Sequence, residues 1–96
     1  MSIALIVTLR IQDGKEAEFE AFFSELARQV RAGPGILAYQ MAKSRTEPNT
    51  YKAIEVFKDQ EAITHHGGTE YIRAAGPKIG AMLAGQSEVE YLDGLD

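Results

Sequence analysis

The side chains able to do chemistry crowd into one stretch of the chain: Tyr51, Glu55, His65, His66, Thr69, Glu70 and Tyr71. A carboxylate and an imidazole in company could move a proton at neutral pH, because the imidazole titrates there and burial raises a carboxylate toward it. Alternation places Tyr51, Ala53, Glu55 and Phe57 on one face of a strand, so Glu55 stands between two aromatic residues on a largely buried surface. A carboxylate in that position needs a partner or a raised pKa. Two roles are open to it: proton transfer, or hydrogen bonds to backbone or an Arg that fix the sheet against a helix. His65 and His66 are consecutive on a helix and point about 100° apart, so only one of them can face a given pocket. The alternative for each is a packing or surface role.

Other chemistries are excluded or unsupported. The chain has no cysteine, hence no disulfide framework, no thiolate nucleophile and no Cys-ligated zinc or iron–sulfur cluster. It contains no HExxH, P-loop or GxGxxG pattern, and Gly76-Pro77-Lys78-Ile79-Gly80 lacks the strand-to-helix context of a phosphate loop. We therefore expect no tetrahedral metal site and no locally encoded nucleotide or flavin site. Ten Lys and Arg, scattered singly, stand against fourteen Asp and Glu for a formal net charge of −4. Nucleic acid and anionic membrane select a concentrated positive face, so neither is an expected partner.

The elements that must position these groups follow from patterning. With 45% hydrophobic and 25% charged residues over 96 positions, the expectation is one folded domain, 1–96. Ile3, Leu5, Val7, Leu9 and Ile11 alternate with Ala4, Ile6 and Thr8, giving a strand apolar on both faces. Arg10 interrupts this run long before membrane-span length, which reads as a strand and not a signal peptide, and the absence of cysteine fits the expectation of a reducing cytoplasm. Asp13 is a candidate N-cap for a helix starting at Lys15, whose stripe is Phe19, Phe22, Phe23, Leu26 and Val30. Gly33-Pro34-Gly35 ends it. Strands over Ile36 to Arg45 and Thr50 to Phe57 flank a turn at Thr46-Glu47-Pro48-Asn49. Asp59 caps a helix from Gln60 to about His66, Gly67-Gly68 breaks it, and Thr69 caps a turn through Ala75. Gly76-Pro77 opens a separate short helix, Lys78 to Leu83, before a last strand from Glu88 to Leu92.

The order β, α, β, β, broken α, β is the ferredoxin-like split βαβ arrangement of an α+β fold, with both helices on one face of a four-stranded antiparallel sheet. Strand one is apolar on both faces, and Leu37, Tyr39 and Met41 add apolar bulk to strand two. The uncovered face therefore calls for a second copy, sheet against sheet, in a homodimer. A substrate cavity would lie between helices and sheet, lined by Met41, Tyr51, Phe57 and Met82.

From residue 3 to 92 the chain resembles the antibiotic biosynthesis monooxygenase family, small dimeric α+β barrels that include quinol and polyketide-anthrone monooxygenases. The resemblance is carried by Ile3-Ala4-Leu5-Ile6-Val7 leading into Gly14-Lys15-Glu16-Ala17-Glu18-Phe19, by Gly35-Ile36-Leu37-Ala38-Tyr39, and by Ser44-Arg45 before Pro48. Its most specific part is Glu55-x-Phe57-x-Asp59 followed by Ala62, His66 and Thr69. The chain departs from the pattern at Tyr71, where members often carry a second His, and at Phe57, where many carry Trp. Without Trp it also departs from the haem-degrading branch. The resemblance implies oxygenation of a small electron-rich phenol, quinol or anthrone by O2 without metal, flavin or nicotinamide. His66 would take the proton, Glu55 would orient it or balance the imidazolium, and Tyr71 or Tyr51 would hydrogen-bond a substrate oxygen. Tyr51, Phe57, Met41, Thr69 and Met82 would contact the substrate. Two other readings stay open: a non-catalytic binder of haem or a small hydrophobic molecule, and a non-oxygenating isomerase on the same fold.

Overall fold

A computed structural model describes residues 1–95, in the order β1 (Ile3–Arg10), α1 (Glu16–Arg31), β2 (Ile36–Lys43), β3 (Thr50–Phe57), α2 (Gln60–Gly67), α3 (Glu70–Met82) and β4 (Glu88–Asp93). The strands form one antiparallel sheet ordered β2-β3-β1-β4, which is the ferredoxin-like order expected. The helices cover one face. Leu5 and Leu9 of β1 and Tyr51, Ala53, Glu55 and Phe57 of β3 are all buried on that face, against Phe19, Phe23, Leu26, Ala27 and Val30 of α1. Each large apolar side chain buried here contributes roughly 1.5–3 kcal/mol.

Four local expectations are corrected. Asp13 does not cap α1: Lys15 occupies the N-cap position with no side-chain cap bond, and Asp13 Oδ1 instead accepts from Asn49 Nδ2, tying the helix entry to the β2–β3 turn. β2 stops at Lys43, because Ser44 Oγ accepts from the backbone N–H groups of Thr46 and Glu47 and folds the chain into that turn. Gly76-Pro77 does not start a new helix; α3 runs through Pro77. Gly76 has no Cβ for the proline ring to strike, and Ile72, Ala75, Ile79 and Met82 keep one apolar stripe against the core on both sides of the missing hydrogen bond.

The fourth concerns the open face. The pairing of β2 with β3 shifts register between Ile36 and Ala38, leaving Leu37 turned out and 60% exposed. Beyond it Tyr39 and Met41 lie opposite Glu55 and Ala53 and point toward the helices. They add nothing to the far face. That face takes its apolar character from Ala4 and Ile6 of β1, Ile54 and Val56 of β3 and Leu92 of β4. β4 is exposed along its whole length, Val89 and Tyr91 included.

Candidate functional site

β3 supplies the centre of the site. Glu55 is 7% exposed and lies across the ladder from Leu5 on one side and Tyr39 on the other. Among the described residues no side-chain hydrogen bond or ion pair reaches it. Burial alone raises its pKa from the ordinary carboxylate value to about 7. Two residues on, Phe57 is fully buried and seats the imidazole of His66, ring centroids 5.3 Å apart. Tyr39 closes the other side of His66 at 6.0 Å.

His66 owes this seat to the capping of α2. Asp59 takes an extended conformation and its Oδ1 accepts from Ala62 N at 2.9 Å, which sets the helix start and hence the direction of its last turn. His65 then faces solvent beside Asp59, Glu61 and Lys58, whereas His66 turns inward. Its Nδ1 is buried with no hydrogen-bond partner. Burial, followed by the neighbouring His65, lowers its pKa, so the ring is neutral at neutral pH. No hydrogen bond joins His66 to Glu55 among the described residues. Thr69 holds the joint behind His66, its hydroxyl donating to the His66 carbonyl at 2.8 Å.

Tyr71, in the first turn of α3, is half-buried, and a Cβ placed on Gly33 would lie 3.3 Å from its hydroxyl. Tyr39 is the residue that sequence reasoning left out of the site. Its ring stacks on Phe23 with centroids 5.7 Å apart and 5° between planes. Its phenol is pushed up by burial first and then by the negative charge available to Glu55, with Arg31 opposing and Tyr71 adding. Tyr39 thus stands among the other three, its ring 6.0 Å from that of His66 and its phenol within the electrostatic reach of Glu55 and Tyr71. None of the four side chains has a protein hydrogen-bond partner for its polar end among the described residues, and such unpartnered groups are candidates to meet a ligand's own polar groups.

The remaining expected residues lie elsewhere. Tyr51 is four strand residues from Glu55, about 13 Å, and its hydroxyl donates to Glu20 at 2.5 Å, with Glu16 at 3.3 Å. Lys43 bridges this pair, 2.8 Å from Glu16 and 3.6 Å from Glu20. Its hydrogen bond holds Glu16 below the usual carboxylate range, while burial and then Glu20 push the Tyr51 phenol up. Met82 is buried at the far end of α3, eleven residues or about 16 Å of helix from Tyr71. The expected cavity is accordingly not one space. Phe57 and Met82 are packed into the core, while Met41 and Tyr51 line an open groove of about 350 Å³ between α1 and β2, with Phe23, Ala27 and Arg31. Phe23 and Arg31 connect that groove to Tyr39, the first by stacking and the second by an Nε bond to the Tyr39 carbonyl at 2.9 Å.

The family profile of antibiotic biosynthesis monooxygenases matches residues 2–78, and the chain belongs to that family. A candidate antibiotic biosynthesis monooxygenase of Caulobacter crescentus CB15 is similar in sequence and structure, with 44% identity, a TM-score of 0.96, and coverage of 99% of this chain and 91% of that one. SnoaB, a cofactor-independent oxygenase of Streptomyces nogalater solved as a point variant, shares the fold with a TM-score of 0.86 at 21% identity, covering 99% of this chain and 94% of that one. An uncharacterized Synechocystis protein is 25% identical over 88 residues, 92% of this chain; the match spans 60% of that curated relative's length.

Proposed function

We propose that the chain is a cofactor-independent monooxygenase for a small electron-rich aromatic such as a quinol, phenol or anthrone. The observation that carries the reading is the buried, unpartnered Glu55 carboxyl with its pKa near 7, set across the ladder from Tyr39, whose ring neighbours that of His66. A group titrating near the working pH is matched to proton transfer. A deprotonated phenolate or anthrone carbanion can itself reduce O2, so the protein has only to take the proton, exclude water and hold the ring. One oxygen atom enters the ring carbon and the other leaves as water, the substrate supplying the electrons.

Between the two candidate bases, burial favours Glu55: it raises the carboxyl toward neutrality and makes the imidazole a poorer base. Glu55 accepts the substrate proton, His66 Nδ1 hydrogen-bonds the substrate oxygen, and Tyr71 or Tyr39 supplies a further hydrogen bond. The ring enters by the groove beside Met41, with Tyr39 as the partition between groove and carboxylate. Thr69 serves by fixing His66. Oxygen uptake over a panel of quinols and anthrones tests this. Wild type consumes O2 with at least one of them, and His66→Ala loses about tenfold or more; full turnover in that variant would sink the assignment. Soret absorbance on haem titration without oxygen uptake would favour the binder instead.

We also infer that the working form is a cytoplasmic homodimer joined through the open sheet face. Ile6, Ile54, Val56 and Leu92 form an apolar patch that a second copy would cover. Among the described residues no helix is long and apolar enough to cross a membrane. Sedimentation at micromolar concentration should give twice the chain mass, and Ile54→Glu should give a monomer; a wild-type monomer contradicts the packing.

A further inference from the structure

We infer that the groove between α1 and β2 selects aromatic ligands that carry an anionic group, a carboxylate above all, with Arg31 as the specificity-determining residue. The inference deepens the reading above, on which it rests for the identity of the ligand's reacting ring.

The groove is built like a ligand cleft. Its volume of about 350 Å³ falls at the lower end of the range for small-molecule sites, and its apolar floor is Phe23, Ala27, Met41 and Tyr51. Its two ends differ in charge. α1 and β2 run so that Glu16 and Glu20 meet Lys43 at one end and Arg31 meets Tyr39 at the other. At the first end one lysine faces two carboxylates and the Tyr51 hydroxyl donates to Glu20, so that end keeps a net negative charge. At the second, Arg31 uses one guanidinium N–H, Nε, on the Tyr39 carbonyl. Among the described residues no carboxylate pairs with it. That single bond orients the planar fork of a residue that lines the groove, and its terminal NH2 groups, without a protein hydrogen bond among the described residues, are free to take a carboxylate through two parallel hydrogen bonds.

The position also sets an orientation. A ligand anchored by its carboxylate at Arg31 lays its ring on the floor of Phe23, Ala27 and Met41, on the groove side of Tyr39, with Tyr39 between it and Glu55. Glu20, at the opposite end, repels an anion bound in reverse. A neutral aromatic lacks this anchor and either orientation is open to it.

The test compares 1-naphthoate with 1-naphthalenemethanol, which share a ring system and differ in charge, by titration followed through backbone amide shifts. Neither is oxidised, so binding is read apart from turnover. We expect naphthoate to bind wild type at least tenfold tighter, with shifts at Ala27, Arg31 and Met41, and to weaken as salt rises. Arg31→Gln should abolish that preference, Arg31→Lys should keep part of it, and the alcohol should bind all three alike. Equal affinities of wild type for the two probes overturn the inference, as does an Arg31→Gln variant that loses both equally. Should the preference hold while no quinol or anthrone consumes O2, the anionic site stands and the monooxygenase reading falls.

Discussion

Glu55→Gln should cost about 100-fold or more in turnover and yet make the protein more stable above neutral pH. The two effects have one cause. Folding takes the Glu55 carboxyl out of water and raises its pKa from the ordinary 4.5 to about 7. Between those values the folded chain holds a proton that the unfolded chain has released, so stability falls as pH rises from 4.5 toward 7 and levels off above it. The loss reaches about 3 kcal/mol at most by the size of the shift, since one pKa step corresponds to about 1.4 kcal/mol. Glutamine mimics the protonated acid in size and shape and cannot ionise. Denaturant unfolding at pH 5 and pH 8 would then show the variant close to wild type at the lower pH and more stable by up to about 3 kcal/mol at the higher. A stability difference between Glu55→Gln and wild type that is the same at pH 5 and pH 8, or a variant with full turnover, removes the carboxylate from the account.

Gly35→Ala should be among the most damaging single substitutions in the chain. Gly35 has φ +77°, and a Cβ there would lie 2.5 Å from the Ala62 Cβ, a short side chain with no freedom to withdraw. The left-handed conformation costs an alanine about 1–2 kcal/mol and the overlap adds to it, for about 3 kcal/mol in all. In a domain of this size that lowers Tm by roughly 10–20 °C. The consequence reaches the site because Ala62 is the residue that Asp59 caps, so α2 has to shift away and take His66 with it. Gly80→Ala is the control, with open space around its Cβ in the last turn of α3, and should be neutral or stabilising by up to about 1 kcal/mol. Thermal melts of both check the contrast. Gly35→Ala with an unchanged Tm would mean that the approach of Gly35 to α2 constrains nothing.

Much of the frame was legible because its signals are local. The alternation from Thr50 to Phe57 lies between Pro48-Asn49 and Asp59, and both the strand limits and the cap were found as they stand. Pro77 misled because a missing hydrogen bond is a local penalty, whereas the stripe Ile72, Ala75, Ile79 and Met82 that outweighs it is a tertiary effect. The site was half legible. Glu55, Phe57, His66 and Tyr71 are close in sequence and were read together, but grouping Tyr51 and Met82 with them overlooked the length of a strand and of a helix. Tyr39 enters only through register. It faces Glu55 because β2 and β3 pair Tyr39 with Glu55, Met41 with Ala53 and Lys43 with Tyr51, after an irregularity at Leu37 that no composition rule reveals. The same pairing brings Lys43 beside Tyr51, where α1 adds Glu16 and Glu20 at i and i+4.

The lowered basicity of His66 and the raised pKa of Glu55 share an origin in burial, and together they make a site that holds its proton loosely near neutrality without an ion pair to fix it. Any reading of the site that leaves Glu55 as a passive strut has to explain a carboxylate buried with no partner among the described residues, where packing alone would favour an apolar side chain.

The most direct measurement is a turnover of a quinol or anthrone under isotopically labelled O2, in protein stripped of metal by chelation, followed by mass spectrometry of the product. We expect one labelled oxygen per product molecule with wild type and background labelling with Glu55→Gln. Incorporation that is equal in both proteins, or oxygen in the product that derives from water, would contradict the account.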